Sequence, residues 1–343
     1  MKRRGSLVVL MAAVGIACGH DATPTAPTAG IPATAGDLQS SLSTSFDALT
    51  IPANAACSIS ISQHGQVVLE RGRGQIAAGT PATADSLYRI ASLTKPITAT
   101  AALISEQAGR LSLTDKINRF LTYPEPAPTV DELIKHVPGL PNYLATAAFE
   151  SGRTSPTTVA TLLSLIQPWD GVRRYQYSNS HAILVGAALQ QVNGLRYEEV
   201  VQRDIFGPAG MTRSSFVLPP ESGSFPFPAT HPTWVYAAGG VTSTAADMNR
   251  FNQALLSNRF GFGAVESLDR SPTGVTSFGM GSGASGGDLR FTHAGGLDTY
   301  SSFSIMFPAG PSSVVVLCNF NNNNTNGLGQ FVTGIRSIML AAR

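Results

Sequence analysis

The chain has 343 residues, of which 43% are hydrophobic and 13% are charged, so it can bury a substantial core and general disorder is excluded. The formal net charge is +2, and no basic run follows the first few residues, which excludes the concentrated cationic face that nucleic-acid binding needs. The few cysteines and the scattered histidines lack the spacing of metal ligands, so neither a metal nor another cofactor is expected.

The N-terminus has the pattern of an export signal. Basic residues at positions 2–4 precede an apolar stretch, 7–16, that is too short to span a bilayer comfortably. A small-x-small sequence then allows cleavage at the end of a signal peptide that covers residues 1–17. The new first residue would be Cys18, which resembles the lipidation site of bacterial lipoproteins. We therefore expect a periplasmic or cell-envelope protein with a membrane tether through lipidated Cys18, and plain secretion is the alternative. Residues 18–35, rich in Ala, Thr and Pro, are predicted to form a flexible tether.

Residues 36–343 are predicted to form the folded domain. An amphipathic pattern over 37–49 predicts a helix, and alternating apolar residues on either side of a His-Gly turn predict a hairpin over 56–71 with one buried face. The clearest helix is predicted over 91–109, with Ser92 at its start, a proline in its first turn and a glycine at its end.

The middle of the chain, about 110–235, is predicted to be a mostly helical lobe broken by Pro and Gly. Helices are expected at 130–135, 157–166, 180–192, 197–206 and 245–256, and a last one at 331–342. Strands are expected at 279–280, 289–293, 301–307 and 313–320. Strands near both ends of the chain with helices between them predict an α+β fold, in which helices flank an antiparallel sheet.

Two cysteines, Cys57 and Cys318, remain in strand-like segments once Cys18 is set aside. An exported protein can oxidise such a pair to a disulfide. Two buried free thiols are the other possibility, and it is the one that we favour from the sequence.

Three short stretches carry the chemistry: Ser92 to Lys95, Tyr177 to Asn179, and His293 to Gly295. Each stretch alone is common, but the ordered set supplies a hydroxyl nucleophile, an amine, a phenol, an amide and an imidazole. Ser92 and Lys95 are one helical turn apart and would face the same way. Either a neutral Lys95 or a Tyr177 phenolate can accept the serine proton, and the sequence does not choose between them. Asn179 can hold both the lysine and a substrate amide.

Two backbone N–H groups are candidate donors to an oxyanion. One belongs to Ser92 at a helix start, and the other belongs to Gly296 just past the third stretch, where Gly295 and Gly296 would let a substrate approach closely. A further serine stands in a G-x-S-x-G pattern at 283–287. Because no strand-to-helix turn surrounds that pattern, we interpret it as a flexible turn.

With these motifs, the chain resembles the serine β-lactamase-like hydrolases, a family that includes class C β-lactamases, D-peptidases and β-lactamase-like esterases. The resemblance runs from about residue 37 to 343 and includes further landmark segments at 133–143, 205–211 and 238–247. It implies a beta-lactamase/transpeptidase-like fold with the nucleophile at the start of a central helix. It also implies that Ser92 is the nucleophile, Lys95 its partner and Tyr177 the general base, with Asn179 and the His293 segment binding the substrate.

One departure bears on the substrate. Class C β-lactamases carry a lysine where this chain has His293, and a neutral histidine is a weaker anchor for the carboxylate of the drug. The resemblance therefore favours an esterase-type enzyme that acts on small esters or related acyl compounds through an acyl-enzyme. The second hypothesis is a D,D-peptidase or penicillin-binding enzyme, or a β-lactamase, that acts on cell-wall peptides or β-lactams; the substrate would then be an amide or peptide and not an ester. A non-catalytic binding or sensor protein is the third. The oligomeric state is not indicated.

Overall fold

The computed structural model describes residues 35–218, 230–264, 274–285, 288–320 and 325–341. The predicted signal peptide, Cys18 and all of the predicted tether except Ala35 lie outside these residues. Ala35 is the first residue of a helix, so helical structure begins one residue before the predicted domain boundary.

A large antiparallel sheet forms one side of the molecule. In the described part of the chain, the strands are β1 (Ala56–Gln63), β2 (Gln66–Ala77), β3 (Thr80–Pro81), β4 (Tyr88–Arg89), β5 (Thr242–Ser243), β6 (Gly281–Ser285), β7 (Asp288–Leu297), β8 (Tyr300–Phe307) and β9 (Ser312–Cys318). Seven of them form one sheet in the order β3-β2-β1-β9-β8-β7-β6, and β4 pairs with β5 in a separate two-stranded ladder. The N-terminal hairpin therefore joins the C-terminal strands edge to edge, as an α+β fold requires.

Helices pack on both faces of this sheet and form the lobe between the strands. They are α1 (Ala35–Asp47), α2 (Thr94–Gln107), α3 (Val130–Ile134), α4 (Ala147–Gly152), α5 (Val159–Ser164), α6 (Asn179–Asn193), α7 (Tyr197–Val201), α8 (Gly207–Ala209), α9 (Pro232–Gly239), α10 (Ala245–Leu256) and α11 (Thr325–Ala341). No helix in the described ranges is both long and apolar enough to cross a membrane.

Some predicted helix boundaries shift for identifiable reasons. The predicted helix over 91–109 begins with a 3-10 turn, Ala91–Leu93, before α2. The predicted helix over 197–206 is α7 followed by a π-helical turn, Gln202–Phe206. Pro208 lies just beyond that turn and has no N–H to donate, which is a common reason for a helix to lose its regular bonding.

The sequence prediction that β1 buries one face is wrong, because both faces are buried. Ile59 and Ile61 pack into an apolar core beneath α1 and α11. The alternating serines face α10, where the Asn249 amide donates to Ser60 Oγ over 2.8 Å and accepts from Ser62 Oγ over 3.1 Å. Polar partners allow the serine face to be buried without unsatisfied groups.

The two strand cysteines form a disulfide, so our expectation of two free thiols is wrong. Cys57 and Cys318 lie directly opposite each other in the β1–β9 ladder, and their sulfurs are bonded at 2.01 Å. The two residues are separated by 261 positions in the chain, and only the register of the two strands brings them together. The bond joins the N-terminal hairpin to the last strand of the sheet.

Candidate active site

Ser92 lies in the 3-10 turn that connects β4 to the buried helix α2. The backbone at Ala91 has a φ of +50°, a left-handed conformation that alanine rarely adopts, so the turn is strained immediately before the serine. Ser92 is the one residue between positions 88 and 100 that is not fully buried, and its Oγ contacts Lys95 and Tyr177. The N-cap of α2 is Leu93 and not Ser92, so the serine hydroxyl is not used to cap the helix.

Lys95 lies in the first turn of α2 with its side chain almost fully buried. Its Nζ is 3.0 Å from Ser92 Oγ, 2.6 Å from Asn179 Oδ1 and 2.9 Å from the carbonyl oxygen of Ala238. All three neighbours are uncharged oxygens, and burial lowers the pKa of Lys95 well below its usual value. The site therefore favours the neutral amine.

Tyr177 and Asn179 reach the site from the start of α6. The Tyr177 hydroxyl donates to Ser92 Oγ over 2.8 Å, and the Lys95 Nζ lies 4.9 Å from the centre of the Tyr177 ring. Ser178 caps α6 by accepting from the N–H of Ser180, which places Asn179 as the first helical residue. Burial raises the pKa of Tyr177, so the phenol is favoured over the phenolate.

Uncharged groups can satisfy all the hydrogen-bonding positions of a neutral Lys95. A neutral amine has two N–H donors and one lone pair. The amide oxygen of Asn179 and the carbonyl oxygen of Ala238 can only accept, so they take the two N–H groups of Lys95. In the neutral form, the remaining position on Nζ is a lone pair that can accept from Ser92 Oγ, the one neighbour of the three that carries a proton.

The third predicted motif lies on β7, where that strand extends past its neighbour. The ladder between β6 and β7 ends at Gly281 and Thr292, so, within the described part of the chain, residues 293–297 pair with β8 alone, on one side. Their other edge faces the turn that holds Ser92. A Cβ added to Gly295 would lie 2.6 Å from the Ile90 carbonyl oxygen and 3.0 Å from the Ser92 nitrogen, so this close approach requires glycine.

His293 is neutral at neutral pH. Burial, with the nearby Lys95 as a smaller cause, lowers the pKa of His293 to about 4. Its Nδ1 donates to the Ala294 carbonyl oxygen over 2.7 Å, and the ring centre is 6.4 Å from that of Tyr177. In this tautomer Nε2 is a hydrogen-bond acceptor, so the ring offers no positive charge to a substrate anion.

Two buried histidines that the motif analysis did not single out lie behind Tyr177. The His136 ring centre is 4.6 Å from that of Tyr177, and the Nδ1 atoms of His136 and His181 are 2.7 Å apart. His181 Nε2 accepts from the Leu140 N–H over 3.3 Å, so the proton of neutral His181 is on Nδ1 and is donated to His136. Burial is the main cause that lowers the pKa of both rings, that of His181 to about 3.

Sequence reasoning also missed two polar groups that complete the site. One is the Ala238 carbonyl oxygen, which binds Lys95. The other is Asn142, whose Oδ1 accepts from Asn179 Nδ2 over 3.4 Å. Both residues, and His136, lie in segments that the resemblance marked as landmarks, and this was the available signal.

The structure thus brings Ser92, Lys95, Tyr177 and Asn179 into direct contact, with His293 and Gly295 beside them. The serine of the G-x-S-x-G pattern, Ser285, is the last residue of β6 in an antiparallel pair with β7, so a strand-to-helix elbow is absent there. No group of three His, Cys, Asp or Glu side chains in the described ranges is placed to hold a metal ion.

The comparisons with known proteins agree with this geometry. The family model described as Beta-lactamase matches residues 46–331, which is most of the chain. The chain belongs to the beta-lactamase family. It is thus a member of a family of serine hydrolases, and the predicted family and α+β fold are confirmed.

Curated relatives in this family carry different activities in their names. A penicillin-binding protein of Bacillus subtilis (strain 168) is 25% identical over 293 residues, covering 72% of this chain and 64% of that protein. Esterase EstB of Burkholderia gladioli is 27% identical over 209 residues, covering 53% of this chain and 52% of the esterase. The chain therefore spans less than two thirds of the length of these two relatives.

A D-amino acid amidase of Ochrobactrum anthropi SV3, solved with D-phenylalanine, superposes on the chain with a TM-score of 0.73. The two proteins are 19% identical, and the match covers 90% of this chain and 99% of the amidase. At this identity the likeness shows the shared fold.

Proposed function

We propose that the protein is an exported serine hydrolase that cleaves small esters and related acyl compounds through an acyl-enzyme on Ser92. The observation that supports this most directly is the contact of one serine oxygen with both Lys95 Nζ and the Tyr177 hydroxyl, at 3.0 Å and 2.8 Å. A hydroxyl nucleophile needs an adjacent proton acceptor, and the lone pair of a neutral lysine is such an acceptor.

In the proposed reaction, Lys95 accepts the Ser92 proton while Oγ attacks the acyl carbon. The oxyanion lies between the backbone N–H groups of Ser92 and Gly296. As the intermediate collapses, the proton on Lys95 is passed through the Tyr177 hydroxyl, the donor that contacts Ser92 Oγ, to the leaving alkoxide, and Lys95 is neutral again. A water molecule then attacks the ester of Ser92, Lys95 accepts its proton, and the serine is restored with release of the acid.

The proposed preference for esters is supported by His293. A substrate carboxylate is best held by a cation, and a histidine whose pKa is about 4 has none to offer near pH 7. The name of the Burkholderia relative, an esterase, agrees with this choice. For the location of the protein, we propose export and lipid anchoring through Cys18. The Cys57–Cys318 disulfide supports an oxidising compartment.

A second candidate is a peptidase or penicillin-binding enzyme that acts on cell-wall peptides. The edge of β7 over residues 293–297, which no other described strand pairs with, favours it, because an extended peptide can pair with such an edge beside Ser92. A penicillin-binding protein and a D-amino acid amidase among the similar proteins agree with it as well. A non-catalytic binding protein has no observation in its favour, since the nucleophile and its two proton-transfer partners are in contact.

The test is covalent capture at Ser92. The purified protein is pulsed with a fluorophosphonate, with p-nitrophenyl acetate and with benzylpenicillin, and its intact mass is measured with peptide mapping. We expect a stable phosphonate on Ser92, turnover of the acetate and little penicillin adduct. Ser92→Ala should lose all labelling, whereas Ser257→Ala, a serine at the end of α10, should label normally. Equal labelling of Ser92→Ala and the parent would refute the assignment, and a lasting penicillin adduct would favour the second candidate.

A further inference from the structure

A buried ion pair joins the strand before Ser92 to the end of β7. Arg89 Nη1 lies 2.6 Å from Asp298 Oδ2, and the two side chains are only 2% and 8% exposed. Arg89 is three residues before Ser92, and Asp298 is two residues after Gly296. The pair therefore connects the two backbone segments that carry the proposed oxyanion donors.

Asp298 is held from both sides of the cleft. Its Oδ2 also accepts from the Thr230 N–H over 2.9 Å, and its Oδ1 accepts from Arg153 Nη1 and Thr230 Oγ1, each over 2.9 Å. Arg153 and Thr230 belong to the helical lobe, whereas Arg89 belongs to the nucleophile segment. One carboxylate thus ties β7 to two other parts of the fold.

The backbone segments at Ser92 and Gly295, which lie between these anchors, are closely packed against each other. Ser302 Oγ donates to the Ile90 carbonyl oxygen over 2.8 Å, and a Cβ on Gly295 would lie 3.0 Å from the Ser92 nitrogen. Oxyanion donors act at about 2.7–3.1 Å from the developing charge, so a shift of β7 by a fraction of an ångström changes their effect. An error of about 1 Å in position can lower a rate by roughly a hundredfold.

Packing does not explain the choice of an arginine at this place. Arg89 Nη2 is buried and has no hydrogen-bond partner in the structure of the described residues. A buried guanidinium with an unused donor is a poor way to fill space, since an apolar side chain of similar volume avoids the desolvation penalty. The charge of Arg89 instead acts where it is bonded, on Asp298.

We propose that Arg89 and Asp298 are positioning residues that set the spacing between the N–H groups of Ser92 and Gly296. The proposal rests on the proposed acyl-transfer function. It adds a residue pair, 209 positions apart in the chain, that lies outside the three motifs and acts through the backbone of the oxyanion site.

The test compares variants on the two sides of the same carboxylate. Arg89→Met breaks the link to the nucleophile segment, Asp298→Asn removes the charge that both links share, and Asn tolerates the positive φ of 52° at position 298. Arg153→Met breaks a link to the helical lobe and is the matched control. For each variant, kcat/KM for p-nitrophenyl acetate and the inhibition constant of phenylboronic acid are measured at equal folded concentration, together with the melting temperature. Phenylboronic acid forms a tetrahedral adduct with the serine and reports the fit of the oxyanion site.

We expect Arg89→Met and Asp298→Asn to lower kcat/KM at least tenfold and to raise the inhibition constant of phenylboronic acid by a similar factor. Arg153→Met should change both by less than threefold, even if its melting temperature falls as far. If the first two variants melt earlier but keep both constants within threefold, the pair is only structural and the inference is wrong. Should Arg89→Met not fold, Asp298→Asn decides alone. Failure of the parent enzyme to label with fluorophosphonate would instead overturn the proposed function itself.

Discussion

Substitution of Gly295 by alanine is the most direct probe of the β7 edge. The added Cβ would lie 2.4 Å from Ser302 Oγ and 2.6 Å from the Ile90 carbonyl oxygen. Ser302 can rotate, but it would then lose its hydrogen bond to the same carbonyl. The Ile90 oxygen is backbone and cannot rotate away, so β7 and the Ser92 turn must separate.

The size of the separation follows from the contact distances. The distance from Cβ to the Ile90 oxygen must grow from 2.6 Å to ordinary contact at 3.4 Å, a shift of roughly 0.8 Å. Loss of one oxyanion donor lowers kcat by about 10²–10³, and we expect Gly295→Ala to fall in or just below that range. Overpacking should also destabilise the fold by about 1–3 kcal/mol.

The assay is steady-state hydrolysis of p-nitrophenyl acetate, corrected for the folded fraction by circular dichroism. Gly283→Ala, on the adjacent strand β6, is the matched control, because its Cβ would lie 3.8 Å from its nearest neighbour, Arg290 Nε. That variant should keep the parent rate. If Gly295→Ala also keeps kcat within threefold while folded, β7 does not form part of the oxyanion site.

Three further predictions concern protonation and the disulfide. Lys95→Arg replaces the neutral amine with a cation that cannot accept a proton, so kcat/KM for the same ester should fall by about 10²–10⁴, and near-normal activity would exclude a lysine base. The pKa of His181 is lowered from 6.5 to about 3 in the fold, so its contribution to stability is complete above pH 6.5 and is lost as the pH falls towards 3. The melting temperature of the parent should therefore fall from pH 7 to pH 4.5, and that of His181→Phe should fall less. An equal fall in both proteins would contradict a contribution from His181. In the variant with both Cys57→Ser and Cys318→Ser, the free energy of unfolding in urea should be about 2–4 kcal/mol lower than in the parent. As a check, a reductant should lower the free energy of unfolding of the parent but not that of this variant.

Local periodicity was enough to predict the first half of the site. Ser92 and Lys95 are three residues apart at a helix start, and a spacing of three or four residues places side chains on one face. The structure brings their polar atoms to 3.0 Å. The α+β fold was also predictable, because strand-like segments at both chain ends must be paired somewhere and the central segments are helical.

Contacts between distant segments were beyond the sequence. Cys57 and Cys318 meet only because β1 and β9 pair in a register that places them opposite each other, and a slip of one residue would send them to opposite faces. The His136–His181 contact and the Arg89–Asp298 pair likewise join elements whose relative placement no local pattern encodes. The role of a single buried histidine or arginine cannot be recognised from the sequence until its partner is known.

The protonation of the site and the identity of residue 293 are connected. In an enzyme with a lysine at this position, a second cation would help to keep the amine of Lys95 neutral. Here His293 is itself neutral, and burial is the cause that lowers the pKa of Lys95. The reactivity of Ser92 therefore depends on the exclusion of water from the pocket formed by Asn179 Oδ1 and the Ala238 carbonyl oxygen. A substrate group that closes this pocket keeps Lys95 in the neutral form that can accept a proton, whereas a carboxylate drawn close to it would stabilise the ammonium form and oppose acylation. The same physical feature thus links the proposed lysine base to the proposed preference for uncharged esters.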